Sequence, residues 1–257
     1  MKRTIEQGMF VRESGPAGST PVVWIHGLGE SGLCFDGILD HPELRYRRHL
    51  VPDLPGYGRT PPSETSWSFT GVADHLIRWL AARGEPPVDL VGHSLGGVLA
   101  LFVAEQAPER VRRVVDVEGN KSEGDCVYSG RALRWTPEDF TRGGFDVLRE
   151  EIATAAGGDP ATQGYLRSLA MADAGTFRAH AEELVRLSRT EALARRLAGL
   201  GSPVHYIAGA PGGACPRSLV LLEAAGLAPT RISPSGHWPF IDQRDRFGEV
   251  LRAILGP

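Results

Sequence analysis

Only three cysteines, Cys34, Cys126 and Cys215, occur in 257 residues, widely spaced and without a Cys-x-x-Cys pair. An odd number so spread builds neither a disulfide framework nor a zinc site, so a reduced, cytoplasmic protein is expected. Charge of one sign is equally scarce, with 28 basic residues against 31 acidic ones and a net charge of −3. That balance gives no electrostatic basis for binding nucleic acid or an anionic membrane surface. No stretch reaches the roughly eighteen uninterrupted apolar residues of a membrane-spanning helix. The N-terminal Met1-Lys2-Arg3-Thr4-Ile5-Glu6-Gln7-Gly8 begins basic but lacks the apolar core of a signal peptide. Internal repeats and low-complexity linkers are missing too. The oligomeric state is left open.

What is present is an ordinary globular composition, 42% hydrophobic and 23% charged, at a length that suits one α/β domain carrying an insertion. Three apolar runs rich in β-branched residues end in turn signals: Val22-Val23-Trp24-Ile25 before His26-Gly27, Arg48-His49-Leu50-Val51 before Pro52-Asp53, and Val88-Asp89-Leu90-Val91 before Gly92. Between the second and third, Val72, Leu76, Trp79 and Leu80 share one helical face, with Ser68 or Thr70 as cap and Gly84 with Pro86 as stop. Alternating strands and helices predict a mostly parallel sheet covered on both faces. A further strand is expected over Val111 to Glu118. The alternation then breaks, and from Lys121 to Gly199 only helical patterns occur, notably over residues 145–156, 163–172 and 176–200. Residues 121–199 therefore read as an inserted helical lid on a core of 1–120 and 200–257. The sheet resumes at Pro203 to Ala208 and closes with a short strand, Thr230-Arg231-Ile232, and a helix from Phe247 to Leu255.

Gly92-His93-Ser94-Leu95-Gly96-Gly97 places a serine where a strand turns sharply into a helix over about Leu95 to Gln106. A serine hydroxyl becomes a nucleophile only when it is exposed, held by a base and placed beside donors for the oxyanion it creates. The strand-to-helix corner supplies the exposure, and Gly92 and Gly96 leave room for it. The helix aims its N-terminal amides at the same point.

Together with His26-Gly27-Leu28-Gly29, Asp53-Leu54-Pro55-Gly56-Tyr57-Gly58 and Ser235-Gly236-His237-Trp238-Pro239-Phe240, this corner makes the chain resemble the α/β-hydrolase superfamily over nearly its full length, in the branch with a serine nucleophile. The resemblance implies the α/β-hydrolase fold, a parallel sheet flanked by helices, with Ser94 as nucleophile and His237 as its base. It implies an oxyanion hole from the backbone amides of Leu28 and Leu95, and it makes Asp53 a turn former. His93 is expected to point away from the site.

The acid departs from the commonest pattern. In most relatives it follows the seventh strand, yet Gly209-Ala210-Pro211-Gly212-Gly213-Ala214-Cys215-Pro216 contains no Asp or Glu. A minority take the acid from the end of the sixth strand, where Glu118 stands. Glutamate's extra methylene extends its reach to the imidazole, whose tautomer the acid must hold. Asp116 shares its strand face but lies short of the carboxyl end, where ligands collect. Asp125 is a second candidate, and a site without an acid is the third.

Trp238 and Phe240 beside His237, and Trp135 in the lid, are candidate pocket residues. The resulting expectation is a cofactor-independent hydrolase acting on an ester, lactone or thioester of a small, largely apolar molecule. An acyltransferase or cyclase could use the same residues. A non-catalytic small-molecule-binding protein is the rival reading, kept alive by the acid-free loop at 209–216.

Overall fold

The computed structural model describes residues 1–63 and 67–256. Eight strands form one sheet: β1 (Lys2–Glu6), β2 (Met9–Ser14), β3 (Pro21–Ile25), β4 (Arg48–Pro52), β5 (Val88–His93), β6 (Val111–Val117), β7 (Val204–Pro211) and β8 (Thr230–Ser235). Their order is β1-β2-β4-β3-β5-β6-β7-β8. β1 pairs antiparallel with β2, β2 pairs antiparallel with β4, and every other pairing is parallel. The β3 and β5 side chains are wholly buried, as strands covered on both faces must be.

The first two strands are an addition to the expected order. β1 is a mostly exposed edge whose charged residues hide any apolar alternation. Its backbone ladder to β2 is reinforced by charge. Arg83 binds Glu6, and it also donates to Glu13 at 2.9 Å and Glu85 at 2.8 Å, while Arg48 donates to Glu13 at 2.6 Å.

The helix α1 (Phe69–Ala82) starts at Ser68, whose Oγ accepts from the Gly71 N–H at 3.1 Å, and buries Val72, Leu76, Trp79 and Leu80. α2 (Leu95–Gln106) follows β5 with a single residue between them. It is apolar all round, which fits its burial between the sheet and its neighbours.

Between β6 and β7 the described residues form only helices, among them α3 (Val127–Ala132), α4 (Phe145–Ala156), α5 (Pro160–Leu169), α6 (Ala174–Arg189) and α7 (Leu193–Ala198). One long helix was expected over 176–200, and it divides. Thr190 Oγ1 donates back to the Leu187 carbonyl at 2.6 Å and Glu191 turns left-handed at φ 51°, which ends α6 before α7 begins. α5 begins earlier than its apolar pattern, because Asp159 accepts from the Thr162 N–H at 2.8 Å and Pro160 takes the first helical position. α8 (Pro216–Ala224), α9 (Pro239–Asp242) and α10 (Arg244–Leu255) complete the chain. No helix among the described residues is long and apolar enough to cross a membrane.

The corner between β5 and α2 is made possible by backbone contact. A Cβ at Gly92 would overlap the Gly96 carbonyl, and one at Gly96 would overlap the Ile25 carbonyl of β3. Gly201, by contrast, has open space around it. Gly96→Ala is therefore expected to cost about 3 kcal/mol or more of stability, and Gly201→Ala to stay within about 0.5 kcal/mol. Denaturant midpoints of the two variants against wild type check this, and a Gly96→Ala protein as stable as Gly201→Ala would refute the close-packed corner.

Candidate active site

The carboxyl ends of β5 and β6 lie side by side, with His93 paired to Val117. The next residue on each strand leaves the ordinary backbone regions. Ser94 has φ 53° and ψ −119°, and Glu118 has φ 57°. Positive φ in residues with a Cβ is held only where surroundings enforce it. Here the Ser94 N–H donates to the Val117 carbonyl at 2.8 Å, and the Glu118 N–H donates to Ile207 on β7 at 3.0 Å. Ser94 makes no side-chain cap on α2, so its hydroxyl is free of the bland role a serine at this position would have.

The turn after Glu118 is fixed by charge. Asp116 accepts from the Gly119 N–H at 2.9 Å and from Lys121 Nζ at 2.7 Å, and Lys121 also donates to the carbonyls of Gly119 and Asn120. Lys121 is wholly buried over the Tyr206 ring. Asp116 thus caps this turn, and the Glu118 carboxylate points elsewhere. One oxygen accepts from the Gly209 N–H at 2.7 Å, and the other faces His237 Nδ1 at 3.2 Å. A Cβ on Gly213 would overlap Glu118 Oε1. The acid-free loop therefore wraps a carboxylate that arrives from the neighbouring strand.

Asp125 is committed to other partners. Its oxygens accept from the backbone of Lys121 at 2.8 Å and of Cys215 at 2.9 Å, and from the Ser218 hydroxyl at 2.5 Å. It ties the start of the helical segment after β6 to the loop after β7. Asp53 accepts from Arg12 at 2.7 Å, from the Gly32 N–H at 2.9 Å and from the Arg59 N–H at 2.9 Å, holding the loops after β3 and β4.

Ser94, His237 and Glu118 line one cavity of about 170 Å³, with Leu28, Val127, Tyr128, Tyr165, Leu184 and Trp238 among its apolar walls. Gly27 and Leu28 border it from the loop after β3. Leu95 is the first residue of α2, where a backbone N–H has no intrahelical acceptor. Two expected pocket residues lie outside the lining. Trp135 packs against Phe140, with its ring centroid 5.8 Å away, under the Arg134 guanidinium. Phe240 sits edge-on beneath His93 at 5.0 Å and borders a neighbouring cavity. Phe240 was singled out by its place beside His237 and Trp135 by its place in the lid pattern, and both pack with the apolar core instead. Among the described residues no His, Cys, Asp and Glu cluster has metal-site geometry.

His93 does not point away from this site, and Glu30, which motif reasoning passed over, stands behind it. Glu30 is buried, and its carboxylate accepts from the Gly27 N–H at 2.6 Å, His93 Nδ1 at 2.9 Å and Trp238 Nε1 at 2.6 Å. His93 Nε2 donates to the His237 carbonyl at 2.8 Å. Burial disfavours the Glu30 carboxylate, but the His93 charge and these hydrogen bonds prevail and bring its pKa down to about 2. Burial likewise disfavours the His93 imidazolium, yet the charge and hydrogen bond of Glu30 raise its pKa above the ordinary value. A carboxylate within a glycine-rich motif that is otherwise apolar was the signal available in the sequence.

This pair links stability to pH from both sides. Glu30 contributes stability above its ordinary pKa of 4.5, and that contribution is lost as pH falls toward 2. His93 contributes below its ordinary pKa of 6.5, and that contribution is lost as pH rises through its raised folded value. The pair is fully in force between pH 4.5 and 6.5. Thermal unfolding of wild type against the Glu30→Leu/His93→Leu double variant is expected to give a stability difference that is most favourable to wild type in that window. A difference independent of pH would show that the pair is not ionised in the fold.

Residues 22–250 match the model of the Alpha/beta hydrolase family. A pimeloyl-[acyl-carrier protein] methyl ester esterase from Pectobacterium carotovorum is 28% identical over 93% of this chain and 95% of its own length. Lipase LipV of Mycobacterium tuberculosis is 34% identical, but the match spans 42% of this chain and only 40% of that protein. The crystal structure of an enol-lactonase from Burkholderia xenovorans superposes with a TM-score of 0.79 over 99% of both chains at 16% identity. With the eight-stranded sheet, the serine corner after β5 and a family match spanning nearly the whole chain, this protein belongs to the alpha/beta hydrolase family.

Proposed function

We propose that this chain is a cofactor-independent serine hydrolase that cleaves an ester, lactone or thioester of a small, largely apolar molecule through a Ser94-His237-Glu118 triad. The observation that carries the reading is the convergence of an uncapped serine at a positive-φ corner and a histidine whose Nδ1 meets a buried carboxylate on one largely apolar cavity. Ser94 Oγ attacks the carbonyl carbon while His237 Nε2 takes its proton. Glu118 accepts from Nδ1–H, holds that tautomer and stabilises the imidazolium. The Leu28 and Leu95 amides receive the oxyanion, each worth about 3 kcal/mol of transition-state stabilisation. The protonated His237 then hands its proton to the departing alkoxide or thiolate. Water, activated by the same histidine, attacks the acyl-enzyme, releases the acid and restores Ser94.

Several features support the substrate class. A cavity near 170 Å³ is close to the roughly 150 Å³ that holds a benzene ring, so a compact acyl or alcohol group fits it. Its apolar walls suit such a group better than a peptide or a phosphate. The methyl ester esterase and the enol-lactonase named above act on bonds of the proposed type. Residues 121–199 would serve as the lid on a core of 1–120 and 200–257, with Tyr128, Tyr165 and Leu184 as its contribution to the cavity. Trp238 supplies the wall beside the base. A carboxylate partner for His237 despite the acid-free loop favours turnover over a purely binding role.

A fluorophosphonate probe tests the nucleophile. Wild type is expected to label covalently and Ser94→Ala to remain unlabelled, whereas an inert wild type would sink the enzyme reading. Glu118→Gln is expected to fold but to lower turnover of short-chain p-nitrophenyl esters by a factor on the order of a thousand. Turnover within a few-fold of wild type would remove Glu118 from the triad.

A further inference from the structure

Three loops must be held in register for the proposed chemistry: the one after β3 that carries Gly27 and Leu28, the corner that carries Ser94, and the one after β8 that carries His237. None belongs to the same strand or helix as another. A single buried carboxylate touches all three. Glu30 accepts from Gly27 of its own loop, from His93 next to Ser94, and from the indole N–H of Trp238 next to His237. His93 closes the circuit by donating from its second ring nitrogen to the His237 carbonyl at 2.8 Å.

The protonation state follows from the partners. A carboxylate and a backbone carbonyl are both acceptors, so each His93 nitrogen must carry a proton for both contacts to be hydrogen bonds. That makes the ring an imidazolium paired with Glu30 inside the protein. The charged and titratable groups around it are Glu30 from the β3 loop, Glu118 from the end of β6, and His237 from the β8 loop, whose ring centroid is 4.7 Å away. Phe240 and Trp238 close the remaining sides. Cys34 Sγ approaches Glu30 at 3.7 Å from beneath.

A buried ion pair is a poor device for stability, since desolvation of both charges offsets much of their attraction. Its geometry is directional, which is what register requires. We propose that Glu30 and His93 are positioning residues, a carboxylate–imidazolium clamp that sets the spacing of nucleophile, base and oxyanion loop. The proposal rests on the hydrolase reading above, and neither residue is placed on the reacting atoms.

Glu30→Gln keeps the shape and removes the second set of acceptor lone pairs, so an amide N–H must face Trp238, His93 or Gly27. In the full-length protein we expect kcat for p-nitrophenyl acetate to fall about 10- to 100-fold, as for loss of a supporting hydrogen-bond partner, with KM within about twofold. Fluorophosphonate labelling of Ser94 should slow by the same factor. Trp238→Phe removes one donor and keeps a ring, so it should lose less, and Glu30→Gln/Trp238→Phe should be no slower than Glu30→Gln alone, because the two act through one contact. Full kcat in folded Glu30→Gln, a loss carried by KM alone, or strictly additive effects would each overturn the clamp. If Glu30→Gln does not fold, Trp238→Phe decides on the same kcat-against-KM split.

Ring ¹⁵N–¹H spectra separate this proposal from the one it rests on. At pH 7 wild-type His93 should show both ring N–H protons, protected from exchange, and Glu30→Gln should lose one. A neutral His93 in wild type overturns the clamp whether or not the protein turns over ester. An unlabelled Ser94 with a doubly protonated His93 would instead overturn the hydrolase reading and leave the clamp intact.

Discussion

The site depends on two neighbouring strands that turn corners at the same level. His93 on β5 is paired with Val117 on β6, and the residue after each, Ser94 and Glu118, adopts positive φ. Each such conformation costs roughly 1 to 3 kcal/mol in a residue with a side chain. The cost is borne by the packing around it: the Ser94 N–H is bonded across to Val117, Glu118 is bonded across to β7, and the glycines at 92 and 96 let backbone meet backbone. Pairing the two corners brings a hydroxyl and a carboxylate to the same edge of the sheet, on strands with the loop after β8 close by.

Glu118 and the loop at 209–216 form one unit. Had that loop carried an acid, it would have needed side-chain space beside His237. Instead, Gly209 offers a backbone N–H to Glu118 and Gly213 leaves room for its oxygen. Asp125 then fastens the other side of the loop through Cys215 and Ser218. Three carboxylates near the end of β6 thus divide the labour. Asp116 holds the turn with Lys121, Asp125 holds the loop, and Glu118 alone faces the imidazole.

The fold class and the serine corner were legible in the sequence from local rules, and the family and the place of His237 from the resemblance that four motifs carry together. Glycines flanking a serine between an apolar strand and a helix specify a corner, and alternating strands and helices specify a parallel sheet. The antiparallel β1 and β2 were not legible, since β1 is an exposed edge with no apolar pattern and the apolar run of β2, Met9 to Val11, is only three residues long. The break between α6 and α7 was hidden for a different reason. Thr190 and Glu191 end the helix through backbone contacts that leave the apolar period intact.

Trp135 and Phe240 show the limit of reading aromatics beside motifs, for side-chain direction is set by what packs opposite. Glu30 and His93 show it more sharply. Motifs passed over the first and turned the second away from the site, and only the meeting of β3, β5 and β8 loops gives a carboxylate three donors and an imidazole two acceptors. The sequence by itself determined the strands from β3 onward, the helices between them and the residues at the strand ends, because these follow from backbone propensity and apolar period. Tertiary structure decided which carboxylate meets which histidine, because that depends on the register of strands far apart in the chain and on the space their glycines leave.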